Sequence, residues 1–201
     1  MRPARCLIFI LCCLGLLASP APAAPVTPLQ EVRATVDGVF ELLRDTRLDR
    51  DSRRSRLTQL IRSRFDFRNM SQRILATHWR SADPQEQQRF VALFSDLLEA
   101  NYIGKIEAYT NETVRYLGEQ IIEDRAAIDT AIVTAGAEIP ISYRLQRTGE
   151  RWLVYDVVIE GVSFVGNYRS TYGEIVRREG MSGLLQKMEE KLREIRQGGQ
   201  T

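Results

Sequence analysis

The feature that most constrains this 201-residue chain is a change of hydrophobic period near Thr110. Before it, apolar residues return every three or four positions; after it, they alternate. The first spacing belongs to helices with a buried face and the second to half-buried strands. A run of helices followed by a run of strands does not provide the alternating units of a parallel sheet. The order therefore predicts an α+β fold on an antiparallel sheet.

Within the helical half, Thr27-Pro28 and Gln30 form a capping box with a first-turn proline. Leu29, Val32, Val36, Val39, Phe40 and Leu43 then follow at helical spacing. Residues 53–62 predict a second helix with Leu57, Leu60 and Ile61 inward. Residues 67–78 predict a third, carrying Met70, Ile74 and Leu75. The fourth opens at Asp83-Pro84-Gln85-Glu86 and sets Phe90, Phe94, Leu97, Leu98, Tyr102, Ile106 and Tyr109 on one broad apolar face. Four strands are predicted at 112–120, 125–135, 138–147 and 151–159, the last two joined by Thr148-Gly149-Glu150. Two helices, 164–179 and 182–196, close the chain, about six in all, and no internal repeat is evident.

Residues 1–23 have the three parts of a secretory signal peptide. Met1 to Arg5 is basic, Cys6 to Ala18 is apolar, and Ala21-Pro22-Ala23 fits a small-x-small cleavage site. Thirteen residues fall short of the roughly 20 a membrane span requires. Residues 24–28 then read as a linker and 29–197 as one domain. All three cysteines (Cys6, Cys12, Cys13) lie in the signal. The processed chain would have no thiol for a disulfide, a zinc site or a nucleophile.

Removing the signal leaves 26 basic and 26 acidic residues, a formally neutral protein. The charge is nevertheless uneven, with ten arginines and four aspartates between Arg44 and Arg73. Such a patch can meet phosphate in nucleic acid or in lipid head groups. An address outside the cytoplasm, and aromatics not interleaved as a stacking platform, weigh against nucleic acid. Arginine outnumbers lysine 25 to 3 over the whole chain, which a compositional bias of the genome would also produce.

Motifs for catalysis are missing. His78 is the single histidine, and there is no nucleophile elbow, phosphate loop, dinucleotide fingerprint or metal-spaced cluster. Two carboxylates remain as candidates. Asp66, between Phe65 and Phe67 and among arginines, reads best as a cap or ion-pair partner. Asp156 shares a face with Trp152, Val154 and Val158 on strict alternation, where an arginine or tyrosine would satisfy it. An acid in a curved sheet also serves some cone-shaped isomerases and dehydratases, so that reading stays open.

Several strings occur in order along the chain: Phe65-Asp66-Phe67, Met70-Ser71, Trp79-Arg80, Phe90, Phe94, Tyr102 and Tyr143-Arg144. The most specific run from Trp152 to Asp156-Val157, through Glu160-Gly161-Val162-Ser163, to Asn167-Tyr168-Arg169-Ser170. Gly180 before Leu184-Leu185 closes the set. Together they resemble the MlaC-like (toluene-tolerance, auxiliary component) periplasmic phospholipid-binding proteins over nearly the whole processed chain. One departure is Ala76, where glycine is expected before His78-Trp79-Arg80; it bears on a local turn.

The resemblance implies an NTF2-like α+β cone: a curved four-stranded antiparallel sheet packed with about six helices, acyl tails inserting between them. It implies a periplasmic shuttle that carries phospholipid between outer and inner membranes, with no cofactor, metal or enzymatic activity. Its expected partners are an inner-membrane MCE-domain protein attached to an ABC transporter and an outer-membrane lipoprotein complex. Hiding two acyl tails, about 30 methylenes at ~0.8 kcal/mol each, is worth roughly 25 kcal/mol. The slot is therefore expected near the upper end of the ~300–1,000 Å3 range of ligand cavities. Candidate wall residues are Phe90, Phe94, Leu97 and Tyr102 from the fourth helix, and Tyr143, Trp152, Val154 and Val158 from the last two strands. Val162, Phe164, Val165 and Tyr168 follow them, with Arg144 and Arg169 as candidate head-group or partner contacts. Glutamate at Val158 or Val162 is expected to block loading. A solid-core interaction protein is the remaining reading, because periodicity does not distinguish a filled core from a hollow one.

Overall fold

The computed structural model describes residues 26–109 and 112–198. The expected signal peptide and its cysteines lie outside them. Among the described residues no helix is long and apolar enough to cross a membrane.

Five helices precede the sheet: α1 (Pro28–Arg44), α2 (Arg50–Arg64), α3 (Phe67–Leu75), α4 (Thr77–Ser81) and α5 (Pro84–Glu107). Side-chain caps start most of them. Thr27 and Gln30 close a reciprocal box on α1, as do Asp83 and Glu86 on α5. Asp49 accepts from the Ser52 amide at 2.8 Å, and this cap begins α2 three residues earlier than its apolar spacing predicts. Asp66 accepts from the Asn69 amide at 2.9 Å, so its role here is to cap α3. The predicted third helix is two helices, because the chain turns at Ala76 with φ 51° and ψ −114°. That backbone conformation favours glycine, which agrees with the residue the family pattern expects there.

Five strands follow in the order β1 (Thr113–Ile122), β2 (Arg125–Val133), β3 (Glu138–Thr148), β4 (Arg151–Ile159) and β5 (Val162–Ser163), every neighbouring pair antiparallel. The fifth is two residues long and escapes a period-based reading. It folds back on β4 because Glu160 and Gly161 both adopt positive φ, the conformation of a tight hairpin turn. The last helix, α6 (Phe164–Gly198), is interrupted at Gly180, φ 73°, where the sequence predicts a boundary.

Two apolar cores result. One lies among α3, α5 and α6 and contains Met70, Phe90, Phe94, Leu184, Leu185 and Met188. The other lies between α1 and the sheet around Val32, Ile128, Leu145, Trp152 and Val154. Phe65 and Phe164 touch both. Phe65 is tied to the sheet by a parallel bridge to Val154, beside a 2.9 Å bond from the Asp66 amide to the Val154 carbonyl.

Candidate functional site

The second core is not filled. A cavity of about 550 Å3 lies between the sheet and helices α1, α2 and α5. That is mid-range for ligand cavities and smaller than the sequence argument expects.

The sheet side of this cavity is apolar. Ile141, Tyr143 and Leu145 of β3 and Trp152, Val154, Val157 and Ile159 of β4 form its floor, with Val114 from β1 and Ile132 from β2. Every charged or aliphatic-hydroxyl residue on the wall comes instead from α1, α2 or α5. Glu31 pairs there with Arg64, and Arg62 donates to Asp96 and Glu99, each at 2.7 Å. Thr58 Oγ1 and Arg64 Nε are buried without a protein hydrogen-bond partner. The slot is thus largely apolar on both sides, and its few polar groups, most of the charged ones in ion pairs, stand on the helical side. Burial pushes the Tyr143 phenol up to about 12. Tyr143 is half-buried and lines the cavity.

Of the residues singled out from sequence, Tyr102, Tyr143, Trp152, Val154, Val162 and Phe164 meet on this wall. Tyr102 and Phe164 pack with ring centroids 5.0 Å apart. Val162 sits at the rim, 58% exposed.

Six others lie elsewhere, for two reasons. Phe90, Phe94 and Leu97 belong to the helical core because α5 is apolar on two sides, and Val165 and Tyr168 of α6 meet them there. Phe94 packs edge-on against Tyr168 at 5.2 Å, and Phe90 against Tyr172 at 5.9 Å. Val158 faces away because β4 is bulged. Arg144 of β3 pairs with Asp156 and Leu145 with Val154, which leaves Tyr155 without a partner. Tyr155 and Asp156 consequently turn to the same side, and Val157 takes the place on the floor that alternation assigns to Val158.

The same bulge removes Asp156 from the cavity. Its carboxylate accepts from the Val165 amide at 3.0 Å, Ser163 Oγ at 2.7 Å and Arg144 Nη1 at 3.2 Å. Asp156 therefore ties β4 and β5 to the start of α6, and Arg144 is its partner rather than part of the wall. Arg169 is exposed on α6 and makes no ion pair among the described residues. No cluster of His, Asp or Glu able to hold a metal occurs among them either.

Sequence reading missed Val32, Val36, Val39 and Phe40 of α1 as wall residues, although their spacing had marked them as one apolar face. It also missed Leu98, Ile103 and Ile106, which face the cavity from the second side of α5. Nothing in the spacing says which of two apolar sides of a helix meets a void.

Fold and cavity together define an α+β protein hollowed between sheet and helices, with room for an elongated apolar ligand. Residues 33–190 match the family model described as MlaC protein, and the chain belongs to that family. It is 25% identical over 167 residues to toluene tolerance protein ttg2D of Pseudomonas putida, covering 78% of this chain and 76% of that one. It is 24% identical over 124 residues to the intermembrane phospholipid transport system binding protein MlaC of Haemophilus influenzae. That match covers 59% of this chain and 58% of the relative. Its fold is shared with the phospholipid-binding protein of Ralstonia solanacearum, solved in complex with a phospholipid. The TM-score is 0.75 at 24% identity, over 82% of this chain and 96% of that one.

Proposed function

We propose that this protein is a periplasmic phospholipid carrier of an Mla-type transport system, moving lipid between outer and inner membranes and so maintaining outer-membrane lipid asymmetry. The observation that carries this reading is the largely apolar cavity between sheet and helices. Apolar surface from the sheet and from α1 and α5 suits acyl tails, and the few polar groups on α1, α2 and α5 suit the glycerol and head-group end. The names of the Haemophilus and Ralstonia proteins support the same substrate class.

The energetics suit a shuttle. A bilayer offers tails nearly the environment that Leu145, Val154 and Val157 offer, so lipid exchange costs only a small difference between large terms. Docking on a partner then tips loading or release with a few kcal/mol. We propose as partners an inner-membrane MCE-domain protein of an ABC transporter and an outer-membrane lipoprotein complex, with phospholipid as the bound ligand and no cofactor.

Protein purified from the periplasm without detergent tests this. Mass spectrometry of its organic extract is expected to find phospholipid in near-stoichiometric amount, and an extract free of lipid would overturn the reading.

A further inference from the structure

Helices α1 and α2 form an antiparallel hairpin over part of the cavity, and its two ends are held very differently. The end at Leu29 and Phe65 is pinned. The Leu29 amide donates to Glu119 Oε1 at 3.0 Å, Arg33 lies over the Tyr116 ring at 4.0 Å, and Glu31 pairs with Arg64. Phe65 and the Asp66 amide join the hairpin to Val154 of β4.

The turn end, residues 45–49, has no such anchorage. None of residues 33–56 is buried. Their apolar side chains Val36, Val39, Phe40, Leu42 and Leu43 are only half-buried, and the first three face the cavity. Beyond Arg33, one ion pair joins this stretch to another element: Arg54 to Glu107 of α5, at 3.4 Å and thus long for a hydrogen bond. A segment with few buried apolar contacts opens locally at low cost.

Within the hairpin the packing is closer. A Cβ at Gly38 would lie 3.1 Å from a Leu60 methyl, so glycine lets the two helices approach and move as one body. Among the described residues, three of the four buried side-chain polar atoms without a hydrogen-bond partner are on α2: Arg53 Nε, Thr58 Oγ1 and Arg64 Nε. A buried donor without an acceptor disfavours the closed arrangement, and access to water relieves it. Arg53 and Thr58 stand on the part away from the pins.

We propose that the α1–α2 hairpin is the gate of the cavity. It swings outward at residues 45–49 about the pinned end, carries Val36, Val39 and Phe40 off the cavity, and opens a way for acyl tails between helix and sheet. The proposal rests on the carrier reading, because the gate serves the exchange of a bound lipid.

A reversible link across the gate tests this, and all three native cysteines lie within residues 1–13, in the expected signal peptide. Arg54→Cys with Glu107→Cys, joined by a bismaleimide linker that contains a disulfide, is expected to lose exchange of bound phospholipid with radiolabelled phosphatidylglycerol in detergent micelles. Reductant cuts the linker and is expected to restore exchange. The same linker between Arg89→Cys and Glu189→Cys, where α5 meets α6, is expected to leave exchange unchanged. Arg54→Gln, with no link, is expected to speed exchange about two- to fivefold, the worth of one partly exposed ion pair. Linked protein that exchanges as fast as its reduced form, equal loss with either link, or Arg54→Gln protein no faster than the unaltered chain would overturn the gate. Organic extracts of the same samples keep gate and cargo apart. Lipid-filled protein indifferent to the link counts against the gate alone, and folded protein that neither holds nor takes up lipid counts against the carrier reading.

Discussion

At Tyr155, β4 has one residue more than β3 can pair, and that single insertion decides what faces the cavity. Arg73 of α3 lies over the Tyr155 ring at 4.0 Å and holds it on the helical side. Val157→Glu, on the floor, is expected to abolish co-purifying phospholipid in a folded protein. Val158→Glu, one residue on, is expected to keep it, measured as lipid phosphorus per protein. A second residue-scale consequence concerns Ala76, held at φ 51° where a side chain is strained. Ala76→Gly relieves that strain but adds unfolded-chain entropy, so a net gain of about 1 kcal/mol is expected in urea unfolding.

Among the elements, the boundaries set by local chemistry were legible in the sequence. The boxes at Thr27 and Asp83, the turn at Gly149 and the break at Gly180 each depend on one or two residues whose preferences act within a turn. The period change correctly placed four strands after the helices. What spacing alone did not give were features decided by tertiary neighbours. The β4 bulge inverts a face without changing composition, and α5 has apolar residues toward two different cores. Six of the twelve candidate wall residues therefore lie on the cavity and six do not. Asp156 illustrates the same point, since alternation put it inside the slot while three hydrogen bonds make it the clasp between β4, β5 and α6. Asp156→Ala leaves the Val165 amide and Ser163 hydroxyl without their acceptor and is expected to cost about 2–3 kcal/mol in urea unfolding.

For the whole molecule, hollowness and stability have to be reconciled. The closely packed helical core, with Phe90, Phe94, Tyr168 and Tyr172 in mutual ring contact, makes up for a second core that is partly void. Burial raises Tyr143 and Tyr168 to about 12, Tyr172 higher still. An unfolded chain ionises its tyrosines near 10, so between about pH 10 and 12 the unfolded state sheds protons that the folded state retains. Stability is accordingly expected to be constant below pH 10 on this account and to fall as pH rises through that window, as urea midpoints would record.

The central claim, that acyl tails lie along the sheet, can be read from two tryptophans. Trp152 is on the cavity floor and Trp79 is in the other core, out of contact with the cavity. With phospholipid brominated in its acyl chains loaded into the Trp79→Phe variant, the remaining Trp152 emission is expected to be strongly quenched. In the Trp152→Phe variant, Trp79 emission is expected to change little. Bound brominated lipid that leaves Trp152 unquenched, or quenches both tryptophans alike, would contradict the account.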